Sequence, residues 1–169
     1  MVRRILVGIL LTINLATYSQ QKQIISLSFD IKMATEGAYD YNNDPVFNGR
    51  FSWVTSFPSG NEYGIFVEYA KLDPKYFDYG AMYNRKLFGR ELEGLIGAEV
   101  SLIVREFEGY ETQKAYIAYG ANGTLRYHFF DFFSLDMRVN AKYRTDLVKY
   151  YNDSDPMRYS VLLGMSVYF

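Results

Sequence analysis

A single histidine, His128, is all that this cysteine-free chain of 169 residues offers to imidazole or thiol chemistry. Histidine works as a general base when a serine or a carboxylate orients it. His128 ends an alternating stretch beside a short turn, which suits an inward or interfacial side chain satisfied by a neighbour, and no catalytic residue is assigned. The sequence has no Gly-rich phosphate loop and no Cys/His metal spacing. Oxygen ligands are the other resource. The segments YNNDP (41–45) and YNDSDP (151–156) echo each other and supply Asp40, Asn42, Asp44, Asp153 and Asp155, with Tyr41 and Tyr151 beside them. Such a set is a candidate loop binding site and a weak candidate for Ca²⁺. The calcium-loop glycine and terminal glutamate are missing, and Asn-Asp-Pro is also good turn chemistry, so no cofactor is assigned.

Charged residues of both signs also recur at every second position along the chain. Glu68, Glu99, Arg105, Arg126, Asp136, Arg138 and Lys142 all fall on one parity of their stretches, with Ser, Gly, Asn and Ala between them. The opposite parity carries no charge. If these residues share an enclosed space, they must pair, because an unpaired charge there is costly. They are the candidate interior charge network.

What must position them is a set of strands. Eight stretches alternate with period two: 26–33, 50–57, 63–70, 77–84, 95–105, 115–128, 134–144 and 157–169. Apolar faces such as Tyr63, Ile65, Val67, Tyr69 or Leu135, Met137, Val139, Ala141, Tyr143 run without interruption, and Tyr or Phe sits near their ends. A soluble sandwich alternates too, with its charges in water. Aromatic ends on the apolar faces and mixed charges among small residues fit an inside-out membrane barrel better. The links 58–62 and 129–133 are short and 85–94 is somewhat longer. Residues 34–49, 106–114 and 145–156 read as long polar loops and 71–76 as a modest one. Short connections at one end and long ones at the other fit a membrane barrel.

Residues 1–19, MVRRILVGILLTINLATYS, have the charged start, apolar run and small-residue end of a secretory signal peptide, leaving 20–169 as one domain. With 18 basic and 19 acidic residues the chain gives no electrostatic reason to bind nucleic acid. An exported chain without cysteine must be held by its sheet and packing.

The final stretch LLGMSVYF resembles the C-terminal signal of outer-membrane proteins at Gly164, Val167 and Phe169, with Leu162 standing where a polar residue is usual. Together with the strand count and the hairpin-like TLRYHFFDFFSLDMRVNAKY (124–143), this resembles the small eight-stranded outer-membrane barrels of the OmpX and OmpA-transmembrane type. The resemblance implies an all-β, antiparallel, up-and-down transmembrane barrel in the outer membrane of a Gram-negative cell. It implies as partners the barrel-assembly machinery, outer-membrane lipid and lipopolysaccharide, and the expected state is a monomer. Acidic, Tyr-rich external loops would cap the barrel or bind an extracellular ligand. The alternatives are a lipid- or peptide-modifying enzyme on the same scaffold, or a soluble lipocalin-like barrel.

Overall fold

The computed structural model describes residues 21–36, 45–72, 75–106 and 114–169, and in it eight antiparallel strands close into a barrel. They are β1 (Lys22–Asp30), β2 (Asn48–Ser56), β3 (Asn61–Ala70), β4 (Lys75–Phe88), β5 (Leu92–Glu106), β6 (Ala115–Phe130), β7 (Phe133–Arg144) and β8 (Met157–Tyr168). Each strand pairs with the next in sequence, and β8 returns to β1 with Ser26 opposite Ser166, their hydroxyls 2.7 Å apart. Closure removes the unpaired edges that an open sheet would expose.

Two short helices interrupt the plan read from sequence. The first predicted strand, 26–33, is displaced: the strand occupies Lys22–Asp30, and Ile31–Glu36 turn into helix α1. Asp30 is the reason. Its Oδ1 accepts from the backbone N–H groups of Lys32 (2.9 Å) and Met33 (3.2 Å), an N-cap that favours a helical turn over continued extension. Met33 therefore leaves the outer face and packs into the barrel mouth against Ala70, Tyr76, Ile103 and Ala118. The second departure is at 145–156, read as a polar loop, where Thr145–Tyr151 form helix α2, ended by Asn152 in the left-handed conformation (φ 51°). Leu147, 1% exposed, anchors α2.

The remaining differences lengthen strands. The predicted link 85–94 shrinks to a turn at 89–91, where Gly89 takes φ 101°, a value open to glycine at no steric cost. Turns at 57–60, 89–91 and 131–132 share one end of the barrel with the start of β1 and the end of β8. This is called the turn end; α1, α2 and the longer connections mark the opposite, helix end. Residues 1–20, 37–44, 73–74 and 107–113 lie outside the described ones, and with them the predicted signal peptide and the centres of three predicted loops.

The wall is inverted relative to a water-soluble protein. Outward positions such as Ile65 (62% exposed), Val100 (53%) and Val139 (48%) are bare, whereas the inward positions Arg50, Glu68, Asp78, Glu99, Arg126 and Lys142 are buried. Aromatic pairs bound this apolar belt: Phe57–Tyr63 (5.6 Å) and Tyr63–Tyr83 (5.0 Å) near the turn end, Tyr69–Phe77 (5.0 Å) and Tyr119–Tyr143 (5.1 Å) near the helix end. Outward charges keep to the margins, with Lys75 and Glu106 paired at 3.9 Å at the helix end and Arg85 near the turn end, where a long side chain can snorkel. A continuous apolar surface of this extent, flanked by two aromatic girdles, belongs in a bilayer.

Candidate functional site in the barrel interior

Inward parity delivers the charged side chains into the lumen, where they sort into three tiers. In the middle tier Glu99, on β5, is the hub. One of its oxygens accepts from Arg50 Nη2 (2.8 Å), and the other meets Asn140 Nδ2 (2.8 Å) and Lys142 Nζ (2.9 Å). Lys142 also reaches Asp78 Oδ2 (2.5 Å) and Glu68 Oε2 (3.6 Å), while Asn48 donates to Glu68 Oε1 (2.9 Å). The Arg50 guanidinium lies 3.7 Å over the Phe66 ring, a cation–π contact on one face with charge pairing at its edge. Arg50 to Glu99 joins β2 to β5, and Lys142 to Asp78 joins β7 to β4. Both pairs link strands three apart in an eight-strand ring, so the side chains span the lumen.

At the helix end Asp146 of α2 accepts from Arg105 Nε (2.9 Å) and Arg144 Nη2 (2.7 Å), fastening the helix to β5 and β7. Burial alone would raise the Asp146 carboxyl, but the Arg144 and Arg105 guanidiniums hold it below its ordinary value. At the turn end Arg126 donates to Glu62 Oε1 (2.6 Å) and to Asp136 Oδ1 (3.3 Å), and Ser134 and Ser166 donate to Asp136 as well. Arg138 stands between the middle and turn-end tiers, with Thr124 Oγ1 at 3.1 Å and Met82 Sδ at 3.4 Å.

The structure thus brings Glu68, Glu99 and Lys142 into direct contact, joins Arg126 to Asp136, and sets Arg105 apart with Asp146. Sequence reasoning left Arg50, Glu62, Asp78 and Asp146 off the candidate list. For the first three the signal was present, since they share the inward parity. Asp146 was hidden because α2 read as loop.

His128 Nε2 lies 3.2 Å from Glu93 Oε2 at the turn end, with Tyr168 against its ring at 5.1 Å. Its register partner Ser134 is fully buried and donates to Asp136, so no nucleophile–base pair forms there. Of the candidate loop site, Asp40, Tyr41, Asn42 and Asp44 lie outside the described residues, and Tyr151 is the last residue of α2, its side chain outside them too. Asp153 accepts from the Asp155 N–H (2.9 Å) and from Arg158, which hold its carboxyl below the ordinary value, and Asp155 accepts from Met157 N–H (3.4 Å). These oxygens serve a local turn. Among the described residues no group of three His, Cys, Asp or Glu side chains is arranged to hold a metal ion.

The interior near the helix end retains a cavity of about 30 Å³ lined by residues including Asp30, Asn48, Glu68, Tyr76 and Lys142, room for about one water. Wider hollows of about 430 Å³ and 600 Å³ lie, respectively, against the apolar side chains of the outer wall and at the turn end beside His128.

No family model matches the sequence, and no curated protein matches it. Solved structures do match in shape. Neisserial surface protein A superposes with a TM-score of 0.60 at 14% identity, covering 88% of this chain and 96% of that one. The N-terminal β-barrel domain of Pseudomonas aeruginosa OprF gives 0.56 at 12% identity, over 89% and 98% of the two chains. A major outer membrane protein from Thermus thermophilus gives 0.60 at 10% identity, over 88% and 99%. An apolar belt between aromatic girdles, a charged interior and these likenesses agree: the chain is a transmembrane β-barrel with the fold of the small eight-stranded outer-membrane proteins.

Proposed function

We propose that this outer-membrane barrel is a non-conducting, non-enzymatic anchor whose helix end faces the outside and carries the functional surface. The observation that supports it is the filling of the lumen: Arg50 with Glu99, Lys142 with Asp78 and Arg126 with Glu62 each cross between strands three apart. An eight-stranded barrel has an interior just wide enough for side chains to fill. Buried ion pairs resist opening because separating them strands both charges.

In this reading the barrel is a monomer held by outer-membrane lipid and lipopolysaccharide after insertion by the barrel-assembly machinery. What remains free to recognise anything is the outer connections. They are rich in acids and tyrosines, including Asp40, Asp44, Tyr41 and Tyr151, and would favour a cationic extracellular ligand.

Planar-bilayer recording tests the closed lumen. Purified barrel is expected to give no stable unitary current steps at neutral pH. Ohmic steps of constant amplitude, abolished by denaturation, would make the protein a pore and overturn the anchor reading.

A further inference from the structure

We infer that the outer wall seats one zwitterionic phospholipid, its acyl chain in the apolar hollow and its headgroup at the turn end, where Lys22 and Arg90 take the phosphate and Glu91 and Asp131 the ammonium. The hollow of about 430 Å³ follows the strand register. Leu27, Met165, Leu135, Tyr127 and Leu92 are successive cross-strand partners over β1, β8, β7, β6 and β5, and a second row runs beside them from Phe29 to Leu125. Rows laid across tilted strands climb around a barrel. Phe29 stands next to the helix-end terminus of β1, whereas Leu92 opens β5 at the turn end. The hollow therefore lies obliquely in the membrane, as an acyl chain entering from the turn-end interface would. No β-branched side chain lines it, although Ile65, Ile96, Val100, Ile117 and Val139 stand elsewhere on the same wall. Leu, Met and Phe can turn at χ1 to fit a flexible chain, which Val and Ile resist.

Tyr127 lines this hollow and also the polar one of about 600 Å³ at the turn end, so the two share a wall. In the polar hollow Glu93 is already engaged by Lys86 and His128. Lys22, Arg90, Glu91 and Asp131 are exposed, and no ion pair joins their side chains to any described residue. Phe129 and Phe130 line the same hollow, Phe129 against Tyr127 at 4.8 Å and Phe130 stacked on Phe132 at 5.5 Å. Exposed aromatic rings of this kind mark the membrane interface, which sets the four spare charges at headgroup depth. Two cations and two carboxylates suit a headgroup of both signs, a phosphate carrying a primary ammonium. A headgroup with negative charge alone meets the carboxylates unfavourably. In the orientation proposed above the site faces the inner leaflet, but its chemistry does not depend on that orientation.

The test is native mass spectrometry of the full-length folded barrel in detergent, titrated with phosphatidylethanolamine or phosphatidylglycerol of identical acyl chains. One phosphatidylethanolamine is expected to bind saturably and about tenfold more tightly than phosphatidylglycerol, a ratio that one charge-assisted hydrogen bond can supply. Glu91→Gln with Asp131→Asn is expected to erase the preference, and Lys22→Ser with Arg90→Ser to weaken both lipids; all four positions are exposed, so folding is spared. Leu135→Trp, which fills the hollow, is expected to weaken binding with every headgroup partner in place. Equal affinity of wild type for the two lipids, a preference that survives Glu91→Gln with Asp131→Asn, or binding indifferent to Leu135→Trp would overturn the site. Binding is read without reference to conduction or orientation, so its failure and that of the anchor reading are separate results.

Discussion

Arginine placed at Val139 is expected to cost about 2–4 kcal/mol of folding stability and to sharply reduce the yield of inserted barrel. Val139 lies on the outward face of β7, between the aromatics Phe133 and Tyr143 and opposite Gly123 and Val161. A guanidinium there has no inward route and too short a stem to reach either interface with ease. Val100→Arg on β5 should behave alike, since Val100 is equally bare to the outside. The penalty falls to about 0–1 kcal/mol near the interfaces, and Arg85 near the turn end shows that such a margin tolerates a native arginine. Urea unfolding from lipid vesicles measures the effect. Equal stability of Val139→Arg and wild type would mean that this face is not in hydrocarbon.

The second large effect is inside. Glu99→Ala should destabilise the barrel by about 3–5 kcal/mol, because it leaves the buried cations Arg50 and Lys142 short of their shared counter-charge. The loss belongs to the stranded charges more than to the glutamate's own contacts. A double variant, Glu99→Leu with Arg50→Met, leaves Lys142 paired with Asp78 and Glu68 and is therefore expected to recover much of the stability that Glu99→Ala loses, a non-additivity characteristic of a coupled network. Unfolding midpoints of the two variants decide it. If Glu99→Ala unfolds with the wild type, the hub is energetically idle; if the double variant is no better than the single, packing at Glu99 dominates.

The barrel was legible in the sequence because a membrane wall imposes a strict parity. Each outward position must be dry along the whole strand, so Ile65, Val100 and Val139 declare one face, and Glu68, Glu99 and Arg126 the other. A slip of one residue would reverse every side chain. Strand ends were less legible. The alternation of Phe29, Ile31 and Met33 continues past Asp30, and only the capping of Lys32 and Met33 N–H by Asp30 breaks it. The helix α2, with its buried Leu147, is only seven residues long, too short to show a periodic apolar face, and Asp146 was lost with it.

Pairing within the interior was hidden for a different reason. Parity says which residues enter the lumen, but Arg126 meets Glu62 and Lys142 meets Asp78 across strands three apart. Those partners depend on the register of every intervening strand, which local pattern does not specify.

The protein carries a built-in reporter for its central claim. Trp53, its sole tryptophan, is half exposed on the outward face of β2, and its indole N–H donates to Gln23 Oε1 at 2.8 Å. Folded barrel reconstituted into vesicles of brominated phospholipid should show strong quenching of Trp53 fluorescence, with little effect of aqueous iodide. Efficient iodide quenching with no response to brominated acyl chains would place the tyrosine and valine faces away from lipid and contradict the transmembrane barrel.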